Sequence, residues 1–494
     1  MKKYILSIDQ GTSSSRAVLF NHKQQIIGIE QKEIKIFYPY KGWVEQDANE
    51  IWETTYQSVV RLIKRLGISS EEIAAIGITN QRETTVVWDK KTGEPIHKAI
   101  VWQDTRTYKY CNEIKKEAFS EIIKNQTGLF VDSYFSATKV KWILDKYDSN
   151  RKRSKKGELL FGTIDTWLLW KLTKGEYHYT DYSNASRTML FDINKKKWSS
   201  DLLDFFDIPK EMLPEVKDTS GIYAYAKGAF AHKIPIAALV GDQQSALFGQ
   251  QCTEIGMVKN TYGTGCFMLM NTGKRIVHSK HGLLSTIAWQ INNKTTYALE
   301  GSVFVAGAVI QWLRDEMGLI KNAAESEAMA KKVNDNNGVY FVPAFTGLGA
   351  PYWDGSAQAA IIGLSRDSNK YHIVRAALES MAFQTKDVLN AMIIDSKINL
   401  KKIHVDGGAI DNNFLMQFQA DILNTDIIRP ENKESTSLGA ALLAGLAVGF
   451  YSEEDMKQNH QIDRVFRAAM KDKERKNLYE AWLNAVERVK SQPS

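Results

Sequence analysis

The chain predicts an α/β protein divided into two large domains, and three observations carry that expectation. Its 494 residues exceed what a single hydrophobic core ordinarily organises. Short β-branched runs alternate with helical patterns along the whole length, the mark of strands interleaved with helices. Two stretches about half a chain apart, "ILSIDQGTSSSRAVLF" (5–20) and "MVKNTYGTGCFMLMNTG" (257–273), share one plan: strand, small hydroxyl-bearing turn, strand. The repetition points to a duplicated fold whose two turns face one cleft. A boundary is expected near residue 250, after "VGDQQSALFGQ", dividing 1–250 from 251–494. No Pro/Ser-rich linker marks it, so a hinge is expected rather than a tether.

The first stretch ends its strand on Asp9 and spends the turn on Gly11, Thr12, Ser13, Ser14 and Ser15 before Arg16. Asp, Gly and Ser are ordinary turn residues, so a surface hairpin fits. A phosphate cradle fits equally: backbone N–H groups near Gly11 and the hydroxyls of Thr12 and Ser13 around an anion, with Asp9 facing a metal ion. The stretch alone leaves both open. "QIIGIEQKEIKI" continues the sheet, and "NEIWETTYQSVVRLIKRL" (49–66) has apolar residues at helical spacing. "IAAIGITNQ" (73–81) is a strand that runs into the polar pair Arg82 and Glu83, followed by the strand "TTVVWD".

Further along, "RKRSKKG" (151–157) and "KKK" (195–197) hold much of the formal net charge of +7. No aromatic or glycine-rich nucleic-acid module accompanies them, so they read as solvated loops and no nucleic-acid partner is expected. In "AALVGDQQSALFG" (237–249), Asp242 follows an apolar strand and a Gly and opens a helical pattern. It suits an N-cap, a proton acceptor, or both. "IHVDGG" (403–408) ends a strand in Gly407 and Gly408, with Asn412 near the start of the next helix; a tight turn and a close phosphate approach both fit. "LGAALLAGLAVGF" (438–450) is the most apolar segment but falls short of the ~20 residues that span a bilayer, so it reads as a buried Ala/Gly-rich helix. The apolar run before Asp9 is too short for a signal peptide. Cys111, Cys252 and Cys266 are scattered, and the pair His278 and His281 stands without further ligands nearby. Neither a disulfide framework nor a metal signature results, and a cytoplasmic protein without stable membrane association is expected.

The common phosphate-binding sequences are absent: there is no GxxxxGK[ST], and no GxGxxG follows the first strand. What remains is two hydroxyl-rich hairpins, a Gly–Gly–helix element and acidic residues at strand ends. Polyphosphate bound this way must be neutralised by backbone donors, Arg and Mg²⁺.

With "GITNQRETTVVWD", "YFSATKVKWIL", "EGSVFVAGAVIQWLRD", "FTGLGAPYWD" and "VDGGAIDNNFLMQFQADIL" added to the stretches above, the chain resembles the FGGY carbohydrate kinases from about residue 4 to about 450, and most closely those acting on glycerol. The resemblance implies an actin/hexokinase-like (ribonuclease H-like) fold, with two domains, each a mixed sheet with flanking helices, around a central cleft. It implies ATP as donor, Mg²⁺ as cofactor, glycerol as acceptor and a homodimer or homotetramer. By the same resemblance, Thr12, Ser13, Ser14 and Arg16 contact the nucleotide phosphates, and Asp9 helps hold Mg²⁺. Thr264, Gly307, Gln311, Gly408 and Asn412 are the remaining nucleotide positions. Arg82, Glu83, Tyr134, Asp242 and Gln243 bind glycerol between Trp102 and Phe267, with Asp242 as the base. Taken singly, Arg82 and Glu83 would make a surface ion pair, and Trp102 and Phe267 core aromatics. Some bacterial members are controlled by fructose 1,6-bisphosphate or by histidine phosphorylation near "AKGAFAHKIPI" (226–236). Here Lys233 stands at the Arg position of the sugar-bisphosphate loop and Ala229, Phe230 and Ala231 dilute its glycines, so insensitivity to both signals is expected, His232 notwithstanding.

Overall fold

The computed structural model describes residues 2–228 and 232–491; Ala229, Phe230 and Ala231 of the regulatory expectation lie outside the described residues. The chain opens with a meander of β1 (Tyr4–Gln10), β2 (Ser14–Asn21) and β3 (Ile26–Glu33). β1 is buried over nearly its whole length, as a central strand should be, while β3 alternates between half-buried and exposed residues, as an edge strand should. Helix α1 (Ala48–Leu66) starts on the Asp47 cap, whose carboxylate accepts from Asn49 N, and ends at Gly67 in the left-handed region at φ 64°. β4 (Ile73–Asn80) then lies parallel to β1.

Helix α2 (Ser136–Tyr147) precedes β5 (Ser220–Ala226), β6 (Ile234–Gly241) and α3 (Asp242–Gly249). The later half repeats the plan with β7 (Met257–Tyr262), β8 (Cys266–Gly273), β9 (Leu284–Ile291) and β10 (Lys294–Val303). After them come α4 (Gly307–Asp315), the 27-residue α5 (Lys370–Ser396), β11 (Lys402–Gly407) and α6 (Asn413–Leu423). β12 (Ile427–Pro430), α7 (Ser435–Ala447), β13 (Ile462–Phe466) and α8 (Asp472–Val489) complete the set.

Thirteen strands among the described residues form one mixed sheet in the order β13-β12-β11-β7-β8-β10-β9-β5-β6-β4-β1-β2-β3. The duplication is explicit in its pairing. β3-β2-β1-β4-β6 and β10-β8-β7-β11-β12 each run as three antiparallel strands followed by two parallel ones. β5 and β9 join the halves, through the single residue pair Ser220 and Ile291. The protein is therefore a two-domain α/β fold with a large mixed sheet and flanking helices. No helix among the described residues is long and apolar enough to cross a membrane, and the three cysteines are free and buried.

The 438–450 segment is a buried helix, as expected, but its packing is unusual. α7 comes late in the chain yet lies on β1, β4 and β6 and crosses α3. Its glycine and alanine content is a steric requirement: an added Cβ would stand 1.9 Å from Ser245 O at Gly439, 2.1 Å from Ser435 O at Gly249 and 2.2 Å from Ala440 O at Gly77. In the basic run at 151–157 the lysines are exposed, as expected, and Arg151 departs from the solvated-loop expectation. Arg151 is buried and donates to Asp207 O at 2.9 Å and Asp148 O at 3.0 Å, so its charge ties a helix end to a neighbouring loop.

Gly439→Ala must push α3 and α7 apart. Overpacking of a tight crossing costs about 1–3 kcal/mol or more, so the melting temperature should fall, whereas Asn484→Gly at an exposed position of α8 should shift it less. Differential scanning calorimetry of the two variants checks this.

Candidate active site

The parallel pairing of β4 and β6 sets Asn80 opposite Gly241, and the chain leaves both strands at the same edge. Arg82 and Asp242 therefore meet, Nε to Oδ1, at 3.2 Å. A Cβ on Gly241 would lie 2.8 Å from Arg82 Cγ and Cδ, so this approach requires the glycine. Gly241, not Asp242, is the N-cap of α3, but the Asp242 carboxylate still accepts from the first-turn N–H of Gln243, at 2.7 Å. Its side chain is 29% exposed, where Arg82 and Glu83 are almost fully buried rather than a surface pair.

The two buried residues are tied mainly to others. Arg82 grips Glu300 with both terminal nitrogens, at 2.5 and 3.0 Å, and donates to Gln244 Oε1 at 3.2 Å. Arg187 donates from Nε to Glu83 at 2.6 Å and from Nη2 to Glu300 at 3.0 Å. Burial pushes Glu300 up, but the two guanidinium groups outweigh it and lower its carboxyl to about 2. Burial wins at Glu83, which stays above its ordinary range despite Arg187 and Arg82.

Aromatic rings wall a cavity whose lining includes none of Arg82, Glu83, Asp242 and Gln243. Trp102 meets Phe267 edge-on with centroids 6.4 Å apart, and Tyr134 at 5.5 Å. Trp102 Nε1 donates to Thr12 Oγ1 at 2.9 Å, which fixes the indole on the first hairpin. Beneath them, buried Lys139 donates to Tyr134 O at 2.7 Å. Gln243 Oε1 accepts from Lys259 Nζ. A cavity of about 870 Å³ includes Thr12, Trp102, Tyr134, Phe267 and Thr264 in its lining.

A second cavity, of about 590 Å³, brings together Thr264, Gly307, Gln311, Gly408 and Asn412, all five expected at a nucleotide. Gly307 opens α4, and a Cβ there would stand 2.5 Å from Gly263 O. The paired glycines differ. Gly407, at φ 91°, would drive a Cβ to 2.2 Å from Tyr262 O, so its role is structural, whereas nothing lies within 4 Å of a Cβ on Gly408, which faces the cavity. Asn412 caps α6 by accepting from Leu415 N at 2.9 Å.

The first hairpin is only partly brought in. Of its residues, Thr12 lines the larger cavity; Asp9, Ser13, Ser14 and Arg16 line neither. Arg16 donates to Glu434 at 2.6 Å and to Gln31 at 2.9 Å, turned toward the start of α7. Asp9 is buried, with its Oδ2 accepting from Ser437 Oγ at 2.8 Å, and burial pushes its carboxyl up to about 6 against the pull of Arg16. Among the described residues no three His, Cys, Asp or Glu side chains cluster as a ready-made metal site. A lone, dehydrated carboxylate fits Mg²⁺ all the same, since that ion is ordinarily held by one or two carboxylates, waters and substrate phosphates.

Residues 4–249 match the N-terminal domain, and residues 258–448 the C-terminal domain, of the FGGY family of carbohydrate kinases. The chain belongs to this family. The glycerol kinase of Desulfitobacterium hafniense is 57% identical across 99% of this chain and its own full length; that of Fusobacterium nucleatum is 58% identical, covering 99% of each. Among solved structures, Plasmodium falciparum glycerol kinase with ADP superposes with a TM-score of 0.94 at 39% identity, covering 99% of both chains. A xylulose kinase from Lactobacillus acidophilus, at 21% identity, shares the fold with a TM-score of 0.88 over 98% of both chains.

Within this FGGY kinase, sequence reasoning passed over Arg187, Glu300, Lys139 and Lys259. Glu300 had a signal: an acidic residue inside the apolar "YALEGSV" strand, the reasoning that singled out Asp9. Arg187 and the two lysines had none, because their partners lie in other elements. Glu300→Gln leaves Arg82 and Arg187 buried against Glu83 and partly exposed Asp242. Removing one partner of a buried pair costs about 3–5 kcal/mol, so the unfolding midpoint in urea should drop markedly at unchanged slope.

Proposed function

We infer that this chain transfers the γ-phosphoryl group of ATP to glycerol, giving sn-glycerol 3-phosphate. The observation that carries the reading is Thr264, which lines both cavities: the pocket walled by Trp102, Tyr134 and Phe267 and the cavity assembled from the nucleotide positions meet at the second hairpin. The kinship with glycerol kinases over the full chain favours glycerol over the ketoses taken by more distant FGGY kinases. The two domains are taken to divide near residue 250, so that the acceptor approaches from one and the nucleotide from the other.

Each pocket residue suits a small neutral triol. Trp102 and Phe267 wall its carbon chain and keep water out, Arg82 donates to hydroxyl oxygens, and Glu83 accepts from a hydroxyl proton. Tyr134 and Gln243 complete the polar rim. Asp242 takes the proton of the attacking hydroxyl. It is the carboxylate equipped for this: Glu300 is held at about 2 by two guanidinium groups, while Asp242 keeps a partly exposed oxygen. The hydroxyls of Thr12, Ser13 and Ser14 receive the phosphates from one side, joined by Arg16 once it leaves Glu434, and Thr264, Gly307, Gln311, Gly408 and Asn412 hold the nucleotide on the other. Mg²⁺, taken up near Asp9, supplies charge neutralisation on the phosphates, which is most of what phosphoryl transfer asks beyond positioning.

The reading is tested by ADP release with and without glycerol and Mg²⁺, alongside a panel of ketoses and sugar acids; faster turnover of any of those would replace glycerol as the substrate. Asp242→Asn keeps the shape and loses the base, so kcat should fall by at least ~10²-fold with nucleotide affinity largely retained. Arg82→Ala removes a charged donor worth roughly 1.5–3 kcal/mol, so the glycerol KM should rise about tenfold or more while the ATP KM moves little. A larger shift in the ATP KM would assign Arg82 to the phosphates.

A further inference from the structure

Lys259 is wholly buried on β7, and its three hydrogen bonds all go to neutral acceptors: Gln243 Oε1, Thr261 Oγ1 at 2.7 Å and Phe267 O at 3.3 Å. An ammonium without a carboxylate on it is costly to bury, and burial pulls Lys259 down to about 8, against the attraction of Asp406, Asp242 and Glu300. A neutral side chain would fill the space at lower cost, so the charge has to be explained by what it holds. Its partners belong to different parts of the site. Gln243 is the second residue of α3, beside Asp242, on the acceptor side. Phe267 is one of the two aromatic walls. Thr261 pairs across the hairpin with Phe267, one residue before β7 ends at Tyr262 and the chain turns through Gly263 and Thr264, where the two cavities meet.

We propose that Lys259 is a positioning residue that couples the acceptor pocket to the second phosphate hairpin. A hydroxyl engaging Gln243 bears on the ammonium, and the ammonium bears on the strand that presents Thr264. Acceptor and nucleotide then sense each other's presence through one buried group. This rests on the kinase reading above, and the test separates the two.

The affinity for ADP is measured by titration calorimetry with and without saturating glycerol, in wild type and in Lys259→Met. The ratio of the two dissociation constants is the coupling factor. Wild type should show several-fold tightening by glycerol. Lys259→Met should bring the factor to within about twofold of one while ADP affinity without glycerol moves less than about threefold, and kcat should drop about tenfold or more. A wild-type coupling factor retained in the variant overturns the proposal and leaves the kinase reading standing. So does an equal loss of ADP affinity in the absence of glycerol, the sign of general damage, or a wild-type factor of one. Should Lys259→Met fail to fold, Thr261→Val removes one acceptor and keeps the lysine. A reduced factor there supports the coupling and an unchanged one overturns it. Absence of glycerol-dependent ADP release in wild type overturns the kinase reading itself, and the coupling with it.

Discussion

Glu300 reaches across from β10, in the later half of the sheet, and accepts from two arginines of the earlier half, Arg82 and Arg187. Most of the site's electrostatics follows from that bridge. Five charged groups lie together, two guanidiniums and the carboxylates of Glu83, Glu300 and Asp242, and such burial is tolerable only because nearly every charge is paired. The pairing is unequal. Glu300 takes both arginines and Glu83 is bound tightly by Arg187, whereas Asp242 is left with one long contact to Arg82 and an exposed face. The network thus leaves Asp242 the least engaged of the three carboxylates, and it fixes the guanidinium of Arg82 against Glu300.

The same inequality governs Asp9. It lies at the end of β1, cross-strand from Arg16, yet Arg16 points away to Glu434, leaving a hydroxyl from Ser437 as the carboxylate's hydrogen-bond donor. A buried acid without a direct cation is poorly stabilised in its charged form, which is why its carboxyl rises to about 6. The acid of the first hairpin is thus paired with a hydroxyl alone, where the carboxylates around Arg82 and Arg187 are paired with guanidinium groups.

The parts of the site legible in the sequence were those whose chemistry interrupts a local pattern. Hydroxyls packed into a turn between apolar strands, a Gly pair at a strand end, and an Asp after a strand and a Gly all stand out within a few residues. The α/β alternation and the duplicated hairpin were legible for the same reason, and the sheet repeats its pairing accordingly. What was not legible is partnership at a distance: Arg187 finds Glu83 at a separation of 104 residues, and Arg82 finds Glu300 at 218. Arg151 shows the converse error, since a basic run looks solvated until the fold brings carbonyls to one of its arginines. Strand–Gly–Asp–helix permits Asp242 as a cap; the backbone gives the N-cap to Gly241, while the Asp242 carboxylate accepts from the first-turn N–H of Gln243.

How the two halves move relative to each other is constrained by where they are joined. The sheet is continuous through only one residue pair, so it offers little resistance to bending there. The stiff element is instead α7, pressed onto β1, β4 and β6 with backbone against backbone at Gly77, Gly249 and Gly439. Close-packed contacts of that kind cannot open by degrees without losing dispersion along the whole crossing. The start of α7 also carries Glu434 and Ser437, which engage Arg16 and Asp9. A rotation of the later half about this helix would leave the first hairpin nearly fixed relative to α7 while the second hairpin, with Thr264, swings. On the kinase reading proposed above, such a rotation would carry the nucleotide cavity toward the first hairpin, and the moving part would be the hairpin on whose strand Lys259 lies.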